Sequence, residues 1–161
     1  MTGNTQQLFE LHTGADSTAG ACIVLVRTDW NVSIVDELEA GARRILQQYG
    51  IDKVITISVP GAVEIPFAVR QYAKKGTPYC DAFITLGCVI RGDTPHFDYV
   101  CQSVTAGVTQ LNLSLEVPVI FGVLTVNDAQ QAMERIGGKH GHKGEEAAIT
   151  ALKMIAFNRS L

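Results

Sequence analysis

Residues Leu86 to Val100 read L-G-C-V-I-R-G-D-T-P-H-F-D-Y-V, and the change of character inside this stretch decides the fold. It begins as a buried apolar run and breaks at Arg91-Gly92-Asp93. It restarts at Thr94-Pro95 with the signals of a helix N-terminus: a hydroxyl able to cap, then a proline whose missing N–H would have had no intrahelical partner. Strand, tight loop and helix in that order make the kind of junction where open α/β folds bind ligands. His96 falls in the first helical turn, beside free backbone N–H groups and the positive end of the helix dipole. An anion is expected there, with an imidazole next to it.

The same alternation extends in both directions. Upstream, C-I-V-L-V-R-T from Ala21 onward reads as a first strand, buried on both faces as in a parallel sheet, and ends at Asp29-Trp30-Asn31. Ser33 with Asp36 resembles a capping box, and Ile34, Val35, Leu38, Ala42, Ile45, Leu46 and Tyr49 recur at helical spacing until Gly50. Lys53 to Val59 is a second strand, stopped by Pro60-Gly61. A helix then opens near Pro66, with Glu64 just before it, and closes at Lys74-Lys75-Gly76. Ala82 to Ile90 is the third strand, and the helix after Thr94 keeps Phe97, Val100, Cys101, Val104, Val108 and Leu111 on one face.

Downstream, Val117 to about Val126 forms a fourth strand, and Asn127-Asp128 caps a short helix through Ile136. G-G-K-H-G-H-K-G reads as a loop. Glu145 to Asn158 is a last helix whose inner face carries Ala148, Leu152, Ile155 and Ala156. Strands alternating with helices, joined by connections too long for hairpins, predict an α/β three-layer sandwich. Its core is a flavodoxin-like four-stranded parallel sheet of order 2-1-3-4 with helices on both faces. Residues 1–20, rich in Thr, Gly, Ser and Gln, read as a flexible N-terminal arm with Leu8, Phe9 and Leu11 as anchors, and 21–161 as a single domain.

Composition limits the function. With 161 residues, 47% of them hydrophobic, the chain is long and apolar enough for one well-filled core. A net charge of −3 gives no basis for nucleic-acid binding, so a bound phosphate has to be held by a few local cations. Cys22, Cys80, Cys88 and Cys101 lack metal-ligand spacing and read as reduced thiols. No apolar run is long enough for a membrane span and no signal peptide is legible, so a soluble cytoplasmic protein is expected.

Three interruptions follow strands directly: Trp30-Asn31, Pro60 to Glu64, and Arg91 to Thr94. In a parallel sheet these strand ends share one edge, which brings together an aromatic ring, a carboxylate and an anion site. Each residue alone has a structural reading too. Trp30 suits a hydrophobic plug, Glu64 a partner for a helix dipole, His96 a plain surface histidine, and Arg135 and Lys139 cations at a helix C-terminus. His140-x-His142 has no third ligand at metal spacing. Phe121 sits in mid-strand, away from the shared edge, where core packing is the alternative.

Four ordered motifs carry a resemblance. They are P-G-A-V-E-I-P at Pro60 to Pro66, G-C-V-I-R-G-D-T-P-H-F-D-Y-V at Gly87 to Val100, F-G-V-L-T at Phe121 to Thr125, and E-R-I-G-G-K-H-G-H-K-G-E-E-A-A at Glu134 to Ala148. From about Ala21 to its end the chain resembles the 6,7-dimethyl-8-ribityllumazine synthases of riboflavin biosynthesis. The resemblance implies condensation of 5-amino-6-ribitylaminouracil with 3,4-dihydroxy-2-butanone 4-phosphate, without metal or redox cofactor. It implies that Trp30 stacks on the pyrimidine, that Ala62, Val63 and Glu64 hold the ribityl chain, and that Cys88, Val89 and Ile90 contact the ring through backbone groups. Asp93 and Thr94 would receive the phosphate together with Arg135 and Lys139, and His96 would shuttle protons. Phe121 and Arg135 would reach the site of a neighbouring subunit, in a pentamer or a shell of pentamers able to associate with riboflavin synthase. The last loop departs from the family's more usual A-G-T-K-A-G-N-K-G at Ile136, Gly138, His140 and His142. A non-catalytic binder of flavins or phosphorylated ligands, and a shell or carrier protein, are the alternatives on the same scaffold.

Overall fold

Ile23 and Leu25 point to one side of the first strand and Val24 and Val26 to the other, and all four are fully buried. A strand apolar on both faces needs cover on both, and the chain supplies it by alternation. The computed structural model describes residues 17–161. Their elements are β1 (Cys22–Thr28), α1 (Val32–Gln48), β2 (Lys53–Val59), a single 3₁₀ turn (Ala62–Glu64), α2 (Ile65–Lys75), β3 (Ala82–Ile90), α3 (His96–Ser114), β4 (Val119–Val126), α4 (Ala129–Met133), β5 (Ile136–Gly138), β6 (Gly141–His142) and α5 (Lys143–Ser160). The arm anchors Leu8, Phe9 and Leu11 lie outside the described residues.

The main sheet is parallel with order β2-β1-β3-β4, as the alternation predicts. On one face α1 and α5 bury Leu38, Ala42, Leu46, Ala148, Leu152 and Ile155 against Ile23, Leu25, Ile84 and Leu86. On the other, α2 and α3 bury Ile65, Val69, Val104, Val108 and Leu111 against Val24, Val26 and Phe83. The bounds of β2 and β3 agree with the reading from sequence. No helix among the described residues is long and apolar enough to cross a membrane, and all four cysteines are free.

Local differences from the expected elements each have a cause. The capping box at Ser33 and Asp36 does not form: Asn31 is the cap residue, in the left-handed conformation (φ 58°, ψ 44°), and Ser33 lies inside the helix. Asn31 spends its side chain elsewhere, donating from Nδ2 to the Cys88 carbonyl at 2.8 Å. Asp36 pairs with Arg27. β4 begins at Val119 rather than Val117 because Pro118 has no N–H for the ladder. Asn112 of α3 then brackets Val119, accepting from its N–H at 2.9 Å and donating to its carbonyl at 2.8 Å. Gly76 closes α2 with an ordinary extended φ of −73°. Its value is space, since a Cβ there would lie 2.7 Å from the Tyr72 ring.

The largest difference is at the end of the chain. α4 is only five residues long, capped by Asp128, whose carboxylate accepts from the Gln131 N–H at 2.8 Å. Ile136 therefore is not helical, and the expected loop is a tight antiparallel hairpin pairing Ile136 with His142 and Gly138 with Gly141. Positive φ at Gly137 (113°) and Gly141 (78°) lets it turn. The last helix starts at Lys143, two residues before Glu145, because His142 serves as its N-cap.

Candidate active site

The ends of β1, β2 and β3 meet at one edge, as the parallel register requires. The Asp29 N–H donates to the Val59 carbonyl at 2.9 Å and the Trp30 N–H to the Pro60 carbonyl at 3.3 Å, which seats the Trp30 loop over the start of the 3₁₀ turn. Gly61 lies between the side chains of Trp30 and Glu64. A Cβ added there would stand 3.2 Å from Glu64 Oε2 and 3.6 Å from Trp30 Cδ1. The indole is 72% exposed, far too open for a hydrophobic plug, and Val63 and Glu64 are also exposed while Ala62 is buried. An aromatic face beside a carboxylate suits a flat polar ring carrying hydroxyls.

Beyond β3, Cys88 is buried and burial pushes its thiol up to about 11. It is a protonated thiol at neutral pH, so nucleophilic chemistry is closed to it and its backbone is what it offers. Val89 and Ile90 are half-buried, and Asp93, Thr94 and His96 are exposed at the start of α3. The cap differs from the expected one: Pro95, not Thr94, is the N-cap residue and no side chain caps the helix, because Pro95 already carries helical dihedrals one residue before it. Thr94 Oγ1 only accepts a long 3.4 Å contact from the His96 N–H. Arg91, which carried no role in the sequence reading, fixes this loop. Its guanidinium donates to Asn127 Oδ1 at 3.1 Å and to Asp98 Oδ1 at 3.2 Å, and lies 4.2 Å from the centre of the Phe97 ring.

Phe121 and Arg135 are elsewhere. Together they line a cavity of about 540 Å³ between β4 and α5, walled also by Thr125, Lys143, Glu146 and Thr150, to which Trp30, Glu64 and His96 do not contribute. Phe121 is 40% exposed on the edge strand. Arg135 anchors its guanidinium on the Gln131 carbonyl at 2.8 Å. Lys143 joins it because the Lys143 N–H donates to the Arg135 carbonyl at 2.8 Å, and its ammonium meets Glu146 at 2.8 Å. Lys139 does not line this cavity: it extends from the hairpin to Glu134 at 3.2 Å and is 65% exposed. Lys143 and Glu146 were missed by the sequence reading. Their signal, a K-G-E-E run, looks like any helix start until the hairpin is seen to fold it back on Arg135.

The site residues thus occupy two separate surfaces of one chain, with the same pairing of aromatic and charged groups on each. A sequence profile described as 6,7-dimethyl-8-ribityllumazine synthase matches residues 20–159. The chain belongs to the 6,7-dimethyl-8-ribityllumazine synthase family. Curated relatives of that name include one from Porphyromonas gingivalis, 52% identical over 133 residues that cover 81% of each chain. Another, from Parabacteroides distasonis, is 46% identical over 138 residues, 84% of this chain and 85% of its own. A third, from Bdellovibrio bacteriovorus, is 46% identical over 137 residues, 85% of this chain and 75% of the relative. As a lumazine synthase family member the chain is a transferase of riboflavin biosynthesis on a flavodoxin-like fold, and the four motifs that carried the resemblance all fall within the matched span. Among the described residues no three His, Cys, Asp or Glu side chains gather into a metal-binding group.

Proposed function

We propose that this chain condenses 5-amino-6-ribitylaminouracil with 3,4-dihydroxy-2-butanone 4-phosphate to 6,7-dimethyl-8-ribityllumazine, phosphate and water, at sites completed between subunits. The observation that supports this reading is the split of the site residues: Trp30 and Glu64 flank Gly61 at the ends of β1 and β2, while Phe121 and Arg135 line a separate cavity to which Trp30, Glu64 and His96 do not contribute. Docking one surface on the other in a ring of copies gives each site one contribution from each neighbour. A homopentamer, alone or in icosahedral shells, is the assembly proposed, acting in the cytoplasm and able to associate with riboflavin synthase. Residues 21–161 are its catalytic unit and 1–20 the arm.

In this arrangement Trp30 stacks on the pyrimidine while Glu64 accepts hydrogen bonds from ribityl hydroxyls, with Ala62 and Val63 beside it. The backbone of Cys88, Val89 and Ile90 reads the ring edge. Asp93 and Thr94 lead the phosphate to the N-terminus of α3, where Arg135 of the next subunit, supported by Lys143, clamps it. The uracil amine attacks the ketone to form an imine, phosphate leaves by elimination, and the ribitylamino nitrogen closes the second ring. Each proton transfer suits an imidazole, which exchanges protons near neutrality, and His96 stands beside the phosphate site to make them. Much of the acceleration comes from holding two substrates together.

Mixing the protein with both substrates and following lumazine absorbance tests the assignment. Product formation above the uncatalysed background is expected. Flavin or phosphate binding without product would instead favour the binder. Light scattering and electron microscopy measure the assembly.

A further inference from the structure

His142 is not used in this mechanism, yet it occupies a close joint between α1 and α5. Its ring sits against α1 so closely that a Cβ on Gly41 would lie 2.0 Å from its Cε1, and a Cβ on Gly144 would lie 2.0 Å from the Leu38 carbonyl oxygen. The residue is 7% exposed. Nδ1 accepts from the Glu145 N–H at 3.4 Å, which caps α5 and requires the proton to sit on Nε2. Nε2 is buried and meets no hydrogen-bond partner among the described residues. The ring is therefore held as a neutral acceptor at the positive end of a helix, with no acceptor for a second proton. One residue later comes Lys143, and Glu145 and Glu146 follow two and three residues after it.

We infer that His142 is a positioning residue for the phosphate end of the site, and that it couples that end to pH. The neutral ring caps α5 and holds Lys143 toward Arg135; the protonated ring turns Nδ1 into a donor facing another donor, and releases the first turn of α5 and the hairpin. The charged groups facing the ring are Glu37 and Arg44 on α1 and Glu145 on α5, while the hairpin side presents only Ile136 and Gly137. Arg44 and Glu145 are themselves paired at 2.9 Å, which leaves the Glu37 carboxylate as the remaining charge favouring an imidazolium, set against burial of the ring. Burial, ahead of Arg44, favours the neutral form, against a smaller pull from Glu145 and Glu37. The inference rests on the proposed reaction for its link to catalysis.

The test compares wild type with His142→Asn, which can cap without titrating, over pH 5.5 to 8. His142→Ser, a second non-titrating cap, carries the comparison if the first variant does not fold. The KM for the butanone phosphate is read as the ratio of wild type to variant, so that pH effects common to both proteins cancel. Hydrogen–deuterium exchange of residues 136–147, corrected for the intrinsic rate, is measured in parallel. The expected ratio is near one at pH 8 and rises to about twofold by pH 5.5, because the buried ring resists protonation, with acid deprotection of that segment in wild type alone. Superimposable profiles overturn the inference, as does a KM shift without deprotection or deprotection without a KM shift. If no protein forms lumazine, the proposed reaction falls, and the exchange data still decide whether His142 is a switch.

Discussion

His96 and Arg135 carry different loads, and their variants separate them. His96 is exposed, so water can relay protons in its absence, and His96→Ala is expected to lower kcat by about tenfold, below the usual range for a general acid–base group. In the proposed reaction Arg135 would contribute a planar fork at a developing phosphate, so Arg135→Ala should cost about a hundredfold or more in kcat/KM, with Arg135→Lys between the two. Steady-state kinetics of the three variants with the butanone phosphate varied would reject the assignment if the losses were equal and negligible. Burial does the opposite for Cys88: with its thiol raised to about 11, Cys88→Ser should retain turnover within a few-fold. Single residues were legible where a local signal exists. Thr94, Pro95 and His96 announce a helix start, and Glu64 announces one two residues before Pro66. Lys143 and Lys139 could not be told apart, because both sit in one basic, glycine-rich run and only the hairpin decides which faces Arg135.

At the level of elements, the contact between α1 and α5 governs stability. Gly144 meets backbone that cannot step aside, so Gly144→Ala should destabilise by about 3 kcal/mol. At Gly50 the space is open and only its φ of 73° resists a side chain, so Gly50→Ala should cost about 1 kcal/mol. Urea midpoints of the two variants give the comparison. The same face carries an ion-pair network: Glu39 of α1 accepts from Arg27 of β1 at 2.6 Å, from Arg43 at 2.8 Å and from Thr56 of β2 at 3.1 Å. Burial works against the Glu39 carboxylate, but these partners outweigh it and hold it below the usual range. Because the folded value is depressed, the stabilisation is present above the ordinary carboxylate pKa and is lost as pH falls through the folded one. Glu39→Gln should remove about 1.5–3 kcal/mol at pH 7 and flatten the acid limb of a Tm-against-pH curve. Strand and helix existence was readable from periodicity. The hairpin was not, since G-G-K-H-G-H-K-G has no apolar alternation and forms by the left-handed glycines and the burial of His142.

For the whole molecule, the proposed sharing of sites between subunits makes a prediction about mixtures. Subunits carrying His96→Ala and subunits carrying Arg135→Ala are each poorly active, but co-refolded together they should regain about a quarter of wild-type sites, the share in which both intact contributors meet by chance. Recovery near zero after mixing would place both residues in one chain's site. The surface of α3 agrees with assembly: from Tyr99 to Ser114 it carries no Asp, Glu, Lys, Arg or His, although Leu113 is 84% exposed and Thr105, Thr109 and Gln110 face outward too. Depletion of charge on an exposed helix is the composition of an interface. By itself the sequence determined the four parallel strands, their order, the helices on both faces, and the shared edge of strand ends that carries the Trp30 and Glu64 loops, because alternating apolar runs and strand-end breaks are local and periodic. Only the tertiary structure decided that Phe121, Arg135 and Lys143 form a second surface and that His142 locks α5 onto α1. Those facts depend on which residues meet across long separations, and such contacts leave no period in the chain.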